Sequence, residues 1–586
     1  MEKKHSLGLF KAAVNAFLLH GGSLFGRLFR RRLFRQAKNG KSFSEKKLLR
    51  LLKKSRNTEY GKKYGFREIK NVDDYREKVP LSTYDDYREL IRRTAEKGEQ
   101  KLMTGRKIVY FATTSGTVTE VKLIPQILAS YLAYFEFICI ILNDLTVSLR
   151  SRGVKRTTAR GLLLTEISAK PASEFVGGEE EIPAGGISSF AASGVGIFLP
   201  LFTPLPKEVL GNSGIRDMKY IKARYALQDP TLKWYGGPFM SAVTDLVEYM
   251  EEHHEMLIRD IGTGTIDPSV EMTEDMRMKL EKKLRPDPAR AAELREIFEH
   301  PTEAPLLSRI WNNLSYVAAI GTGDFTPFTR RMMGYCDKSV RFGYAMYAAS
   351  EALMGIAVRL DDPRYLLLHD TGFYEFLPVD ENGEPLSDKT LLAHELEMGR
   401  HYEIIVTNIS GLYRYRIRDV VKVLGYEGET PYIEFAFRET YLTDICSIHL
   451  MSEFLLAAVE MTEKETGVDI YDYSLYPDAD HKPPRLELFI EAGVPLSDDA
   501  LENMSRVFDE ALHKTSRGYN HWRSEEVMGP AVLRQVPAGT HLSRRDYKIS
   551  HGASSNQLKT ARVIKDEKTY SHFAEKADAM RGAENR

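Results

Sequence analysis

Residues 108–125, IVYFATTSGTVTEVKLIP, constrain this chain more than any other stretch. They open on a β-branched and aromatic run, Ile108, Val109, Tyr110 and Phe111, which predicts a buried strand. The run passes into Thr113, Thr114, Ser115, Gly116 and Thr117, then reaches Lys122 and Pro125, after which a long apolar helical pattern begins. A strand ending in hydroxyls, one Gly and one Lys suits a polyphosphate. Gly116 admits close backbone approach, N–H and hydroxyl groups donate to phosphate oxygens, and Lys122 adds a point charge. The plain alternative is a polar strand-to-helix connection. The GxxxxGK[ST] spacing of a Walker A loop is absent, so the choice rests on the rest of the chain.

With 586 residues, the chain has room for a large domain and a smaller one. Apolar residues make up 43% and charged residues 28%, the range of folded soluble proteins. Lys plus Arg and Asp plus Glu balance at 82 each, so no net field favours nucleic acid. Cys139, Cys336 and Cys446 lie far apart without a C-x-x-C pair, which argues against structural zinc and for a reducing, cytoplasmic setting. The apolar N-terminal stretch 7–19 is too short to span a bilayer and lacks a cleavage site. Residues 1–40 form a basic amphipathic helical extension carrying Arg27, Arg30, Arg31, Arg32 and Arg35 among aromatic residues. Such a segment either touches an anionic membrane surface weakly or packs on the protein's own body with its arginines solvated.

Downstream, 127–142 predicts an apolar helix holding Tyr131, Tyr134, Phe135 and Phe137, either core or the wall of an apolar pocket. The segment 245–260 predicts one charged helix in which His253 and His254 are adjacent, hence on different faces and poor metal ligands. Residues 341–355, RFGYAMYAASEALMG, predict a strand and a turn. There Tyr347 is placed to stack on a base, Ser350 to donate to phosphate and Glu351 to hold Mg²⁺. The run 411–426, GLYRYRIRDVVKVLGY, alternates like a hairpin. Asp419, flanked by Arg414, Arg416 and Arg418, is either a surface ion pair or an acceptor for ribose hydroxyls. Beyond residue 439 helices and strands alternate as in a separate α+β unit. It closes on SHGASSNQLKTARVI, where Lys559 follows a Gly/Ser/Asn segment and can be delivered to a phosphate by domain closure.

TTSGTVTEVK, YAASE, YRYRIRDVV and NQLKTARVI, in that order, resemble the Gretchen Hagen family of acyl-acid amido synthetases within the adenylate-forming superfamily. The resemblance runs from about residue 47 to 565. It implies an α/β fold: a large N-terminal adenylate-forming domain (1–438) with a β-barrel and sheets flanked by helices, and a smaller mobile α+β domain (439–586), hinged near Arg438. It also implies that Thr114, Ser115, Gly116 and Thr117 cradle ATP phosphates. Tyr347 would contact adenine, Ser350 phosphate, Glu351 Mg²⁺ and Asp419 the ribose, while Lys559 supports adenylation. The expected reaction joins a carboxylic acid to an amine, an amino acid by family habit, through an acyl-adenylate. An acyl-CoA ligase or a non-catalytic nucleotide-binding, membrane-surface scaffold are the alternatives. The chain departs from the family where a Gly before the ribose aspartate is replaced by Arg418, and where Thr119 and Glu120 replace a loop Gly.

Overall fold

The computed structural model describes residues 9–114, 121–154, 158–165, 167, 169–193, 196–211, 215–380, 383, 385–438, 443–445, 448–450, 452–541, 543, 562–564 and 567–584. Ser115, Gly116, Thr117 and Lys559 lie outside them, as do Thr119, Glu120 and Cys446. The opening stretch is a hairpin rather than a strand-to-helix turn. Strand Ile108–Thr114 pairs antiparallel with strand Lys122–Ile127, and Thr114 faces Lys122 in register. Pro125 sits opposite Phe111 within that second strand. Proline is tolerated because the strand is the edge of its four-stranded sheet, with a neighbour on one side alone. On its other side Ile108–Thr114 pairs parallel with Pro183–Gly185.

The apolar helix follows at once and runs further than the sequence pattern suggests, Leu128–Ser151. It is long and apolar enough to cross a membrane, yet half of its most apolar window is buried inside the protein. Its partner is the N-terminal helix Leu9–Ala37. The two backbones come close at Gly26, where a Cβ would stand 2.0 Å from the carbonyl oxygen of Cys139. The arginines expected in solvent or on a membrane are partly engaged here. Arg30 donates to Asn143 (2.8 Å) and pairs with Asp144, and Arg32 pairs with Glu136 and Asp370. Those two guanidiniums are therefore directed at the body rather than at an anionic surface.

A parallel sheet takes the order Gly161–Leu163, Trp234–Phe239, Tyr316–Ile320, Arg341–Gly343. The single helix expected over 245–260 is two, Met240–Glu252 and His254–Thr263, broken at His253. His254 stacks on Phe298 with ring centroids 5.0 Å apart. An eight-stranded antiparallel sheet carries the later motifs. In it the basic run is one long strand, Tyr415–Glu427, and its hairpin partner is Thr430–Arg438, so the turn lies after the motif and not inside it.

The C-terminal residues build a three-stranded sheet, Ile470–Asp478, Arg485–Ala492 and Val532–Gln535, under helices Ser452–Thr466 and Asp498–Thr515. Its core, around Leu455, Tyr473, Leu488, Phe508 and Tyr519, is distinct from the main core around Phe111, Leu162, Val317 and Val406.

Candidate active site

The YAASE motif forms a tight turn between strands Met346–Ala348 and Leu353–Ala357. Small residues permit it: the Ala349 N–H donates to the Ala352 carbonyl at 2.9 Å. Three neighbours fix it. Gln126 Nε2 donates to the Ser350 carbonyl and Asn408 Nδ2 to the Glu351 carbonyl, both at 2.7 Å. Ser350 Oγ lies 3.5 Å from the Thr113 carbonyl. The turn is thereby tied to the last residues of strand Ile108–Thr114, which the hydroxyl-rich segment follows in the chain.

Asn408 does more than hold Glu351. Its Oδ1 accepts from the backbone N–H groups of Ser410, Gly411 and Leu412 at 2.9–3.0 Å, which caps the turn leading into strand Tyr415–Glu427. One amide thus links YAASE to the basic motif. Sequence reasoning missed it, and no motif signal marks it, because its partners are assembled only by sheet pairing.

Asp419 is not a surface ion pair. It is 2% exposed and accepts from the Tyr347 hydroxyl at 2.9 Å. The neighbouring arginines Arg414 and Arg416 have partners of their own on other strands of the sheet. Arg414 donates to both oxygens of buried Glu375 (3.0 and 3.1 Å), and Arg416 to Glu403 at 2.9 Å. Tyr347 is itself buried, with the rings of Phe435 and Tyr365 about 6 Å away (6.0 and 6.1 Å). The bond to Asp419 fixes the carboxylate rotamer at the edge of an aromatic cluster, an arrangement that suits a nucleoside. Arg418 adopts φ +64°, in the left-handed region. An L side chain carries a steric cost there that glycine does not.

A cavity of about 1190 Å³ adjoins the turn, lined there by Thr113, Lys122, Ser350, Glu351, Arg416 and Arg418, and elsewhere by helix Leu128–Ser151, the parallel sheet and the N-terminal helix. The structure therefore brings together Thr113, Tyr347, Ser350, Glu351 and Asp419. Thr114 ends its strand there. Among the described residues no three His, Cys, Asp or Glu side chains cluster as a metal site. Mg²⁺ needs none, since it binds commonly through one or two carboxylates together with substrate phosphates. Glu351, half-buried on the cavity wall, fits that role.

The chain as a whole matches three family profiles in sequence: the GH3 family N-terminal domain over residues 30–340, the central domain over 365–438 and the C-terminal domain over 453–568. It belongs to the GH3 family. Among curated relatives of this GH3 protein, indole-3-acetic acid-amido synthetase GH3.6 of Arabidopsis thaliana is 26% identical over 565 residues, 90% of this chain and 89% of the relative. Indole-3-acetic acid-amido synthetase GH3.8 of Oryza sativa subsp. indica is 27% identical over 548 residues, 90% of this chain and 88% of the relative. Among solved structures, the AtGH3.15 acyl acid amido synthetase in complex with 2,4-DB superposes with a TM-score of 0.80 at 20% identity, covering 93% of this chain and 95% of its own. That likeness gives this GH3 chain the α/β fold expected from its motifs.

Proposed function

We propose that this GH3 protein is an ATP-dependent acyl acid amido synthetase that adenylates a carboxylic acid and transfers the acyl group to an amine, an amino acid by analogy with its relatives. One observation carries the reading: the turn bearing Ser350 and Glu351 is bonded to strand Ile108–Thr114, while Tyr347 on the same hairpin is bonded to Asp419. Phosphate, metal and ribose groups of one nucleotide are thereby provided for side by side.

In the first half-reaction the substrate carboxylate attacks the α-phosphorus of ATP, and pyrophosphate leaves. Two anions must meet, so the barrier is electrostatic, and preorganised donors lower it. Bound Mg²⁺ would neutralise phosphate charge, with Glu351 as its protein ligand. The hydroxyls and N–H groups of residues 114–117 hold the phosphates, Asp419 accepts from the ribose, and Lys559 approaches from the C-terminal unit. In the second half-reaction the amine attacks the acyl-adenylate carbonyl and AMP leaves. We place the boundary between the units at 438/439, with the smaller turning about Arg438 between steps. We assign the reaction to the cytoplasm, in keeping with buried free thiols at Cys139 and Cys336.

The test is pyrophosphate release from ATP with a panel of carboxylic acids, followed by product analysis with amino acids or CoA. Acid-dependent release and amide product are expected. A CoA thioester as the sole product would overturn the second step. ATP binding without release for any acid would favour a non-catalytic scaffold.

A further inference from the structure

The cavity beside Glu351 is larger than a compact aromatic acid needs, and its chemistry is graded along its length. Resting on the amido synthetase reading, we propose that its acyl substrate is a long-chain aliphatic carboxylic acid, a fatty-acid-like amphiphile, rather than a small aromatic acid.

Size comes first. The cavity measures about 1190 Å³, against roughly 300–1,000 Å³ for pockets that enclose drug-sized ligands. Tyr347 and Asp419, the nucleoside residues, are not on its wall, whereas Thr113, Ser350 and Glu351 are. The volume therefore extends from the phosphate side away from the nucleoside. Helix Leu128–Ser151 lines it from Tyr131 to Leu145, an axial length of about 21 Å at a rise of about 1.5 Å per residue. An extended carbon chain advances roughly 1.3 Å per bond, as a backbone does with Cα atoms 3.8 Å apart. That length holds a chain of about fifteen bonds.

Charge comes second. The charged wall residues are Lys122, Glu351, Arg416 and Arg418, all on the hairpin, turn or strand that meet at the phosphate end. Among the described residues every other one on the wall is uncharged and most are apolar, which suits an acid with a single head and an unfunctionalised tail.

The far end is the third point. Phe17, Phe25 and Phe198 line the cavity, yet are 76%, 53% and 44% exposed. A cavity closed around a small ligand would bury its aromatic wall. This one ends in an apolar rim between the N-terminal helix and helix Leu128–Ser151, which exposes costly surface unless a tail covers it. The N-terminal helix is thus part of the substrate wall.

Gly21 provides the probe. It lines the cavity on the N-terminal helix, and a Cβ there would meet nothing within 4 Å. Gly21→Trp therefore extends into open space without a backbone clash. The experiment measures pyrophosphate release for the series butyrate to hexadecanoate, with indole-3-acetic acid and benzoate alongside. In parallel, direct binding of the fluorescent acid 11-(dansylamino)undecanoate is titrated. The expected result for the unaltered protein is a kcat/KM that climbs by up to about fourfold per added methylene, the factor for burying one CH₂, and levels off among the longer acids. Gly21→Trp should move that optimum to shorter acids. Preference for either aromatic acid over every aliphatic one, a flat chain-length profile, or an optimum unmoved by Gly21→Trp would overturn the inference. Probe binding that hexadecanoate displaces, without pyrophosphate release for any acid, would sustain the cavity's assignment while refuting the enzymatic reading. Absence of probe binding together with absence of release would refute both.

Discussion

Removing the Asp419 carboxylate separates a nucleotide contact from a structural one. Asp419 is buried and accepts the Tyr347 hydroxyl at 2.9 Å, so Asp419→Ala orphans a buried donor, at a stability cost of about 1–3 kcal/mol. If the carboxylate also accepts two ribose hydroxyls, each such bond to a charged group contributes about 1.5–3 kcal/mol. Their joint loss is about 3–6 kcal/mol, or roughly a 10²- to 10⁴-fold fall in kcat/KM for ATP at about 1.4 kcal/mol per decade. Asp419→Asn keeps an acceptor for Tyr347 and removes the charge. It should unfold in urea near the midpoint of the unaltered protein, yet lose about 10- to 100-fold in kcat/KM for ATP. Tyr347→Phe should do the reverse in part, lowering the unfolding midpoint while leaving the carboxylate in place. Pyrophosphate release against ATP concentration, with urea unfolding of the same preparations, measures all three. If Asp419→Asn unfolds as early as Asp419→Ala, and kcat/KM for ATP changes less than about threefold, the carboxylate is structural and the ribose assignment is wrong.

Other expectations bear on the frame around the site. Glu375→Gln weakens the compensation of Arg414, which is 9% exposed and receives its charge partner there; breaking such a buried pair costs about 3–5 kcal/mol, read as a lowered urea midpoint, and an unchanged midpoint would contradict it. Lys559→Ala should abolish most acid-dependent pyrophosphate release while ATP binding persists, checked by nucleotide titration; unchanged release would remove Lys559 from the chemistry. Two buried groups give opposed pH dependences. Burial pushes His369 down to about 4, so an unfolded chain takes up its proton first and stability is lost as pH falls from about 6.5 toward 4. Burial pushes Asp144 up to about 6, against the pull of Arg30, so stability is lost as pH rises from about 4 to 6. Each amounts to roughly 3 kcal/mol at full shift. Asp144→Asn should therefore leave a protein that weakens on acidification through this window, and His369→Gln one that strengthens; parallel curves for the two variants in urea unfolding would refute the assignment.

What the sequence reveals here is set by locality. The strand at Ile108 and the order of the motifs are local patterns, and they predict the elements that meet at the site. The position of Asp419 was also legible in principle. Along strand Tyr415–Glu427 the burial alternates, with Tyr415, Ile417 and Asp419 inward and Arg416 and Arg418 half-exposed. A period of two thus separates the aspartate from its flanking arginines, and the surface ion-pair alternative neglects that alternation. The hairpin at 108–127 was harder, because Pro125 signals a strand's end unless the strand is known to be an edge. Asn408 was illegible: its bonds to Glu351 and to residues 410–412 depend on where sheet pairing places two distant segments. The N-terminal helix shows the same limit from another side. Its apolar and basic residues fit a membrane surface or a protein surface equally well in one dimension. Only the approach of Gly26 to Cys139 and the Arg30–Asp144 pair identify the partner as helix Leu128–Ser151.

The proposed turning of the C-terminal unit needs an interface that is specific but cheap to leave, and the contacts have that character. Arg330, 51% exposed, reaches Glu460 and Glu463 on helix Ser452–Thr466. The pair with Glu460 is exposed on both sides and contributes about 0–1 kcal/mol. Arg331 donates to the Tyr471 carbonyl and lies over its ring, and Arg562 lies 5.9 Å from the centre of the Phe328 ring. The apolar contribution includes half-buried Phe454, packed against Val379, Val420 and Phe437. Val420 follows Asp419 in the chain, and Phe437 precedes Arg438 at the end of the paired strand. A side chain of the smaller unit thus rests directly behind Asp419 and the proposed hinge. We infer that withdrawing Phe454 in the turn loosens packing behind Asp419 as Lys559 departs, which eases AMP release once the amine has taken the acyl group. Phe454→Ala should accordingly speed AMP release more than it slows adenylation, a difference resolved by comparing single-turnover pyrophosphate release with steady-state amide formation. A variant that slows both steps equally would dissociate Phe454 from the turn.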